Sequence, residues 1–291
     1  MARNKREGIL QEDDGSFARR LSGLSAKRRE IVRPALEHPR NFVLLSVRDI
    51  AARLNSDPAT IVRITRSMGF SSYKEFQQYL HELAIANATS LDTMQAGPRD
   101  SSLTGTIRES LDNDLHNLNA LRNSLDLARI AQLAPRIYAA KRVLLFGGDL
   151  AESLIQYFHY HLLVLDLPVQ IATASGHAAY IGRGATNKDL VFAVSFRRGL
   201  RQTVEGMQRA KRTGAYCVGI TDSYVSPLAQ QADEFFLASV ESHSFGASYV
   251  APLALVNAIL MGCANYKRSR TLALLRQAEE EQKHGFRWFG S

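Results

Sequence analysis

Hydrophobic positions repeat at helical spacing in the first part of the chain, and they predict two short helices between residues 46 and 68. Ile50, Ala51 and Leu54 share one face of the first helix. The following Asn55-Ser56 breaks the pattern and predicts a tight turn. The second helix has an apolar face of its own, made by Ile61, Ile64 and Met68.

Residues that favour helix ends fall at the borders of both segments. Ser46 followed by Asp49 resembles a capping box, with Asp in place of the usual Glu or Gln. Asp57 is predicted to cap the second helix, and Pro58 occupies its first turn, where a missing N–H costs nothing. Gly69 is predicted to end that helix. Two short helices joined by a tight turn, the second one basic, predict a helix-turn-helix and make DNA the first partner to consider.

The second helix also has a polar face opposite its apolar one. Thr60 and Arg63 lie there and are predicted to read bases, whereas Arg66 is predicted to contact or approach phosphates. A further helix follows, which Ser71 or Ser72 can cap, and its N-terminus can hold a DNA phosphate. The alternative is a surface helical hairpin whose basic face is only solvated. The predicted DNA-binding residues are Ser46, Thr60, Arg63, Arg66, Ser72, Tyr73 and Lys74.

Three segments of this region carry a family resemblance, namely Ser46–Ala51, Pro58–Arg63 and Met68–Phe76. They combine Thr-x-x-Arg, a following Gly-Phe and an aromatic-rich last helix, which is more specific than a generic helix-turn-helix. The region resembles the N-terminal domain of RpiR/MurR-type bacterial transcription regulators. The resemblance implies an all-helical domain without a wing, which binds an operator as a dimer.

Composition and charge agree with this interpretation. The 291 residues suffice for two domains, and a mean hydropathy of −0.17 is typical of a soluble globular protein. No run approaches the roughly 18 apolar residues of a membrane span, and the charged start does not have the form of a signal peptide. Residues 1–90 carry 15 Lys and Arg against 10 Asp and Glu, while the rest carry 21 against 18. Such an excess is expected where a protein meets phosphates, although a solvated surface would also produce it. Cys217 and Cys263 are predicted to be buried thiols in a reducing cytoplasm.

Helical periodicity returns over residues 103–140, after a softer stretch that contains Gly97-Pro98. An apolar stripe on this segment can pack on the next domain or on a partner subunit. The stripe consists of Leu111, Leu115, Leu118, Leu121 and Leu125. The predicted organisation is a flexible tail (1–20), a helix-turn-helix domain (21–88), a linker and connecting helix (89–125), a ligand-binding domain (126–265), and a C-terminal helix and tail (266–291).

From residue 141 the pattern changes to short, continuously apolar runs that alternate with helical stretches. This alternation predicts a parallel sheet covered by helices on both faces. The runs are Val143–Gly147, Val169–Ala172, Leu190–Ser195, Tyr216–Ile220 and Glu234–Ala238. Ligands bind at the carboxyl ends of the strands in such a fold. The loops to inspect are therefore 147–150, 173–180, 195–203, 221–227 and 239–248.

This half carries a second resemblance, on Asp189–Ser195, Glu205–Gly214 and the run from Thr221-Asp222 through Ser226-Pro227-Leu228-Ala229 to Asp233. Residues 126–265 resemble the SIS (sugar isomerase) domain, the phosphosugar-binding module that RpiR-type regulators carry. The predicted fold is an all-α N-terminal helix-turn-helix domain followed by an α/β domain. The latter is flavodoxin-like, with three layers and a parallel five-stranded sheet.

Two loops depart from the SIS pattern. The first typically reads G-x-G-x-S, but here Asp149 and Ala151 stand at the later positions. Asp149 can accept hydrogen bonds from sugar hydroxyls, or it can cap the following helix. The second is the phosphate loop, typically S-x-S-G-x-T at a helix N-terminus, where hydroxyls and N–H groups hold a dianion.

The phosphate loop of this chain retains Ser195, replaces the second serine by Arg197 and has a longer spacing to Thr203. Arginines bind phosphate or carboxylate, so the loop is predicted to select an anion. The alternative is that its arginines pair with a neighbouring subunit or face solvent. The predicted ligand-binding residues are Gly147, Gly148, Asp149, Ser195, Arg197, Arg198, Thr203, Glu241 and Ser244.

Two functions of different classes fit these features. The first is a transcription regulator whose SIS domain senses a small anionic metabolite, such as a phosphosugar or sugar acid. Its partners are operator DNA and further copies of the chain, as a dimer or tetramer. The alternative is a phosphosugar isomerase with Glu241 as base and His243 or His177 as acid, which the altered loops disfavour. No cofactor or metal is predicted, because no zinc spacing or dinucleotide fingerprint is present.

Overall fold

The structure is a computed structural model that describes residues 23–283, with gaps at 38, 44, 87–90, 92–93, 95–101, 198, 225 and 243–245. The predicted tail over residues 1–20 and most of the predicted linker lie outside the described residues. So do three candidate site residues, namely Arg198, His243 and Ser244.

Among the described residues, four helices and a 3-10 turn form the N-terminal part, which we call the head. They are α1 (Ala26–Glu37), the 3-10 turn (Pro39–Asn41), α2 (Val47–Arg53), α3 (Pro58–Ser67) and α4 (Tyr73–Ala86). The head has one apolar core, to which every helix contributes. The inward positions predicted for the second helix are confirmed, because Ile61, Ile64 and Met68 are all buried. Gly69 follows α3 with a φ of 85°, a left-handed conformation that glycine adopts without strain.

The second part contains eight helices and five strands among the described residues. The helices are α5 (Leu103–Ser124), α6 (Leu127–Ala139), α7 (Ala151–Val164), α8 (His177–Arg183), α9 (Arg201–Arg212), α10 (Pro227–Gln231), α11 (Val250–Tyr266) and α12 (Arg268–Lys283). The strands are β1 (Arg142–Phe146), β2 (Val169–Ala172), β3 (Asp189–Val194), β4 (Tyr216–Thr221) and β5 (Glu234–Leu237).

All five strands are parallel, in the order β2-β1-β3-β4-β5. This order and the three layers confirm the predicted flavodoxin-like α/β fold. One face of the sheet packs against α5, α6, α7 and α11, and the other packs against α8, α9 and α10. Phe146 pairs with Ala193, which in turn pairs with Gly219, so the strands end at one edge. The loops that leave this edge therefore come together.

Two details differ from the sequence prediction. The segment 173–180 was predicted as a loop, but α8 begins at His177. The periodic segment 103–140 is two helices, because Asp126 interrupts it and caps α6 by accepting from the N–H groups of Ala128 and Arg129. Among the described residues, no single helix is long and apolar enough to cross a membrane, and α11 with α12 passes that test only as a pair bent by 99°.

Candidate nucleic-acid interface and ligand pocket

Helix α3 has a buried side and an exposed basic side. Ile61, Ile64 and Thr65 are buried, and the Thr65 hydroxyl donates to the Ile61 carbonyl at 2.9 Å. On the other side Arg63 and Arg66 are exposed, one turn of helix apart. This is the arrangement that a helix needs if it is to lie in a major groove while its other side is held by the domain core.

The first turn of α3 is fixed by Asp57. Its carboxylate accepts from the Thr60 N–H at 2.8 Å and from the Thr60 hydroxyl at 2.6 Å. These hydrogen bonds from Thr60 lower the pKa of Asp57 below its ordinary value. The Thr60 hydroxyl thus donates its proton to Asp57, and its oxygen can still accept a hydrogen bond from a base.

Polar residues at the start of α4 tie the head together. The Tyr73 hydroxyl donates to the Leu45 carbonyl at 2.7 Å, and burial raises the pKa of Tyr73 to about 12. The hydroxyl of Ser72 caps α4 by accepting from the Glu75 N–H at 3.2 Å. The hydroxyl proton of Tyr73 therefore already has an acceptor, the Leu45 carbonyl just before α2. The side chain of the neighbouring Lys74, in contrast, is exposed. Ser46 likewise caps α2, by accepting from the Asp49 N–H.

The loops after β1, β3 and β4 lie together at the carboxyl edge of the sheet, and we call the space between them the pocket. The loop after β1 carries Gly147 and Gly148, which are buried, and Asp149. Gly148 is buried, and a Cβ there would lie 2.6 Å from Gln202 Nε2. Asp149 is exposed, with a left-handed φ of 55°. Its carboxylate does not cap α7: the N-cap residue is Leu150, and among the described residues no side-chain hydrogen bond caps this helix. Of the two roles predicted for Asp149, helix capping is therefore wrong.

The loop after β3 is closed by its own hydrogen bonds. The hydroxyl of Ser195 accepts from the Leu200 N–H at 2.6 Å, which bends the chain into α9. Arg197 has a left-handed φ of 58°, and its N–H donates to the Asp222 carboxylate at 2.8 Å. Thr203, in the first turn of α9, is completely buried, and its hydroxyl has no hydrogen-bond partner among the described residues.

Arg201, which also belongs to this basic loop, forms an ion pair with Glu205 at 2.7 Å, one turn along α9. Arg201 is exposed to solvent, as the alternative interpretation expected of these arginines, but its partner lies in its own helix rather than in a neighbouring subunit. The N-terminus of α9 itself has no side-chain cap. Its first N–H groups and the buried Thr203 hydroxyl are the donors expected at an anion site.

Two residues absent from the predicted set lie in this pocket, namely Asp222 and Tyr249. Burial raises the pKa of Asp222, and the N–H and guanidinium of Arg197 offset part of that rise. The Tyr249 ring packs edge-on against Phe196 with centroids 5.2 Å apart. Burial raises the pKa of Tyr249, and so do the carboxylates of Asp149 and Asp222. Asp222 directly follows β4 and could have been chosen on that ground, whereas no sequence signal marks Tyr249.

The loop after β5 is hydrogen-bonded to α5. The carbonyl of Glu241 accepts from the side-chain amides of Asn113 and Asn117, at 2.7 and 2.8 Å. The carboxylate of Glu241 is exposed. Of the predicted isomerase acids, His177 is exposed at the start of α8 and His243 lies outside the described residues.

Comparison with known proteins gives two family matches. A family model for a helix-turn-helix domain of the rpiR family covers residues 16–87, and one for the SIS domain covers residues 136–262. The chain is 28% identical over 218 residues to an HTH-type transcriptional regulator of Haemophilus influenzae, a match that spans 72% of this chain and 74% of that one.

Two solved structures resemble the fold. The sugar isomerase domain of an RpiR transcription factor from Sphaerobacter thermophilus shares 27% identity, with a TM-score of 0.57, over 60% of this chain and 98% of that one. The Vibrio vulnificus NanR protein complexed with ManNAc-6P shares 21% identity, with a TM-score of 0.60, over 91% of this chain and 96% of that one.

Proposed function

The chain belongs to the RpiR family of transcription regulators, and we propose that α3 binds operator DNA while the SIS domain senses a small anionic metabolite. Its matches to curated regulators place it among regulators rather than enzymes. The observation that supports the DNA part best is the exposed pair Arg63 and Arg66, on a capped helix whose other side is held in the core. A chain that binds operator DNA acts in the cytoplasm.

In this proposal Arg63 and Thr60 contact bases, while Arg66 and Lys74 contact or approach phosphates. Tyr73 and Ser72 contribute by fixing the start of α4, where they shape the surface next to α3. Each phosphate contact releases counterions, so it adds about one unit to the slope of log affinity against log salt.

The DNA part is tested with a duplex selected from a random library on the wild-type chain, followed by fluorescence anisotropy. Arg63→Ala should weaken binding by about 1–3 kcal/mol and relax base preference, because a base contact is lost. Lys74→Ala should weaken binding to all DNA sequences alike and make the affinity less dependent on salt concentration. The matched control is Arg276→Ala, an exposed arginine on α12. Unchanged duplex affinity for Arg63→Ala would remove Arg63 from the interface.

We propose that the effector is a phosphosugar or related sugar acid, with its charged group on the loop 195–203. The support is the uncapped N-terminus of α9, the unpartnered Thr203 hydroxyl and the adjacent Arg197. Asp149 and Glu241, whose carboxylates are exposed at the rim, are suited to sugar hydroxyls. The structure of NanR with ManNAc-6P makes that compound the first to test.

A thermal-shift screen of sugar phosphates and sugar acids tests the effector part. A compound at about 100 times its Kd stabilises the folded chain by roughly 2.7 kcal/mol, which is readily visible as a rise in Tm. Joint replacement of Arg197 and Arg198 by Ala should abolish this rise and leave DNA binding intact. Arg201→Ala is the control, because Arg201 is already paired with Glu205. A normal response from the double variant, or turnover of the bound sugar phosphate, would overturn the assignment.

We also propose that the chain acts as a homodimer or larger assembly, since a two-fold operator needs two reading helices. The stripe predicted on α5 divides in two. Leu121 is buried and Leu125 packs against the core, whereas Leu111, Leu115 and Leu118 are exposed by 61%, 58% and 37%. Leu103 and Ile107, which are also on α5 but outside the predicted stripe, are exposed by 78% and 54%. Light scattering should give at least twice 32.3 kDa, and a folded monomer at micromolar concentration would count against the proposal.

A further inference from the structure

Helix α5 is joined to the loop after β5 by four hydrogen bonds, which three polar residues of the helix make. Asn113 and Asn117, one turn apart, both donate to the Glu241 carbonyl. Asn117 also accepts from the Ser239 hydroxyl at 2.8 Å. Asp114, between them on the helix, accepts from the hydroxyl of Ser248. Asn117 is only 1% exposed, so its two bonds are largely shielded from water, whereas the bond from Asn113 lies at the surface.

Both ends of that loop are held together at the helix. The Ser248 N–H donates to the Val240 carbonyl at 3.2 Å, and the Glu241 N–H donates to the Ser239 hydroxyl at 3.2 Å. Because the two ends are joined to each other and to α5, a displacement of either end must change its bonds to Asn113, Asp114 or Asn117.

The residue after Ser248 is Tyr249, which lies in the ligand pocket. Its ring packs on Phe196 of the loop after β3, and the charges of Asp222 and Arg197 act on its hydroxyl. The loop after β3 therefore contacts Tyr249, the residue next to the hydrogen bond between Ser248 and Asp114.

Helix α5 stands between the head and the SIS domain in the sequence. It is about 33 Å long at 1.5 Å per residue, and only its C-terminal part is buried, at Asn117 and Leu121. We propose that Asn113, Asp114 and Asn117 form a latch that couples occupancy of the pocket to the placement of the head. This inference rests on the proposed function, because it needs a head that binds DNA.

Coupling between two sites is reciprocal, so DNA bound at the head must change the loop. The test uses the full-length chain with the library-selected duplex and measures hydrogen exchange in peptides that report the Glu241 and Ser248 amides. In the wild type, saturation with duplex should change their exchange rates at least about threefold. The response should vanish in Asp114→Ala and in Ser248→Ala. It should persist in Asp112→Ala, the same substitution at an exposed position with no bond to the loop in the described structure.

Duplex affinity gives a second measurement that does not depend on exchange. Each single variant should shift Kd about two- to tenfold, the range expected for one hydrogen bond. The variant that carries both substitutions should shift Kd by the same factor as either single variant, and not by the product of the two factors, because both substitutions remove the same hydrogen bond. A purely structural role would lower Tm and leave the exchange response to DNA in place.

The outcomes separate the two claims. If no duplex is enriched by the wild-type chain, the proposed function fails and the latch fails with it. If the duplex binds tightly but loop exchange is unchanged and the variants bind like the wild type, only the latch is overturned.

Discussion

Gly206 sets the distance between α8 and α9, and replacing it by alanine should destabilise the SIS domain. A Cβ on Gly206 would lie 2.6 Å from the Cβ of Ala178 and 2.9 Å from its carbonyl oxygen. Both atoms belong to the short helix α8, which is held against the sheet by buried side chains. The two helices must therefore move apart, and α9 carries the proposed anion loop at its start.

The expected cost follows from two opposing effects. Carbon atoms pack best at roughly 3.5–4.0 Å, so the helices must separate by about 1 Å. Overpacking of this kind costs about 1–3 kcal/mol, whereas alanine in place of glycine in a helix gains about 1 kcal/mol. The net loss should be about 1 kcal/mol, despite the better helix propensity.

Gly262 is the matched control, because it also lies inside a helix. A Cβ there would come no closer than 3.9 Å to another atom, the Ile130 carbonyl oxygen. Gly262→Ala should therefore stabilise the chain, by up to about 1 kcal/mol. Urea unfolding followed by circular dichroism measures the free energy of unfolding of both variants. The reasoning is refuted if Gly206→Ala is as stable as the wild type, or if the two variants shift in the same direction.

Three further predictions concern stability and reactivity. Burial raises the pKa of Cys217 and of Cys263 to about 12, so neither thiol should react with an aromatic disulfide reagent until the chain is unfolded. The Arg142 guanidinium holds the pKa of Asp189 below its ordinary value. The contribution of this ion pair to the free energy of unfolding is therefore complete above the unfolded pKa near 4 and is lost as the pH falls through the lower folded pKa. In Asp189→Asn, that part of the pH dependence should be missing from acid unfolding curves. Tyr73→Phe should lower the free energy of unfolding by about 1 kcal/mol in denaturant titrations, because it removes one partly buried hydrogen bond.

Features set by neighbouring residues could be predicted from the sequence. Asp57 and Pro58 start α3 as expected, because capping depends on groups three residues away. Strands β3 and β4 are the clearest in the sequence, because each is a short apolar run that is buried almost throughout. Helix α8 was missed because it has seven residues and begins after Gly176, in a left-handed conformation, without a side-chain cap.

Contacts between distant parts of the chain left no pattern to recognise. The Tyr73 hydroxyl reaches a carbonyl 28 residues away, so a residue predicted for phosphate contact is tied to the head. Asn117 meets Ser239 across 122 residues. Asparagine inside an amphipathic helix is usually solvated, and only the fold brings this one onto the loop beside the pocket.

One measurement tests the central claim most directly, namely DNA affinity as a function of effector. The library-selected duplex is titrated with the full-length chain, alone and with each sugar phosphate or sugar acid that raises Tm. Our account predicts that at least one compound changes the Kd for DNA about fivefold or more, and that joint replacement of Arg197 and Arg198 removes the change without loss of DNA binding. If every compound that binds leaves the DNA affinity unchanged, the chain is not a regulator controlled through this pocket.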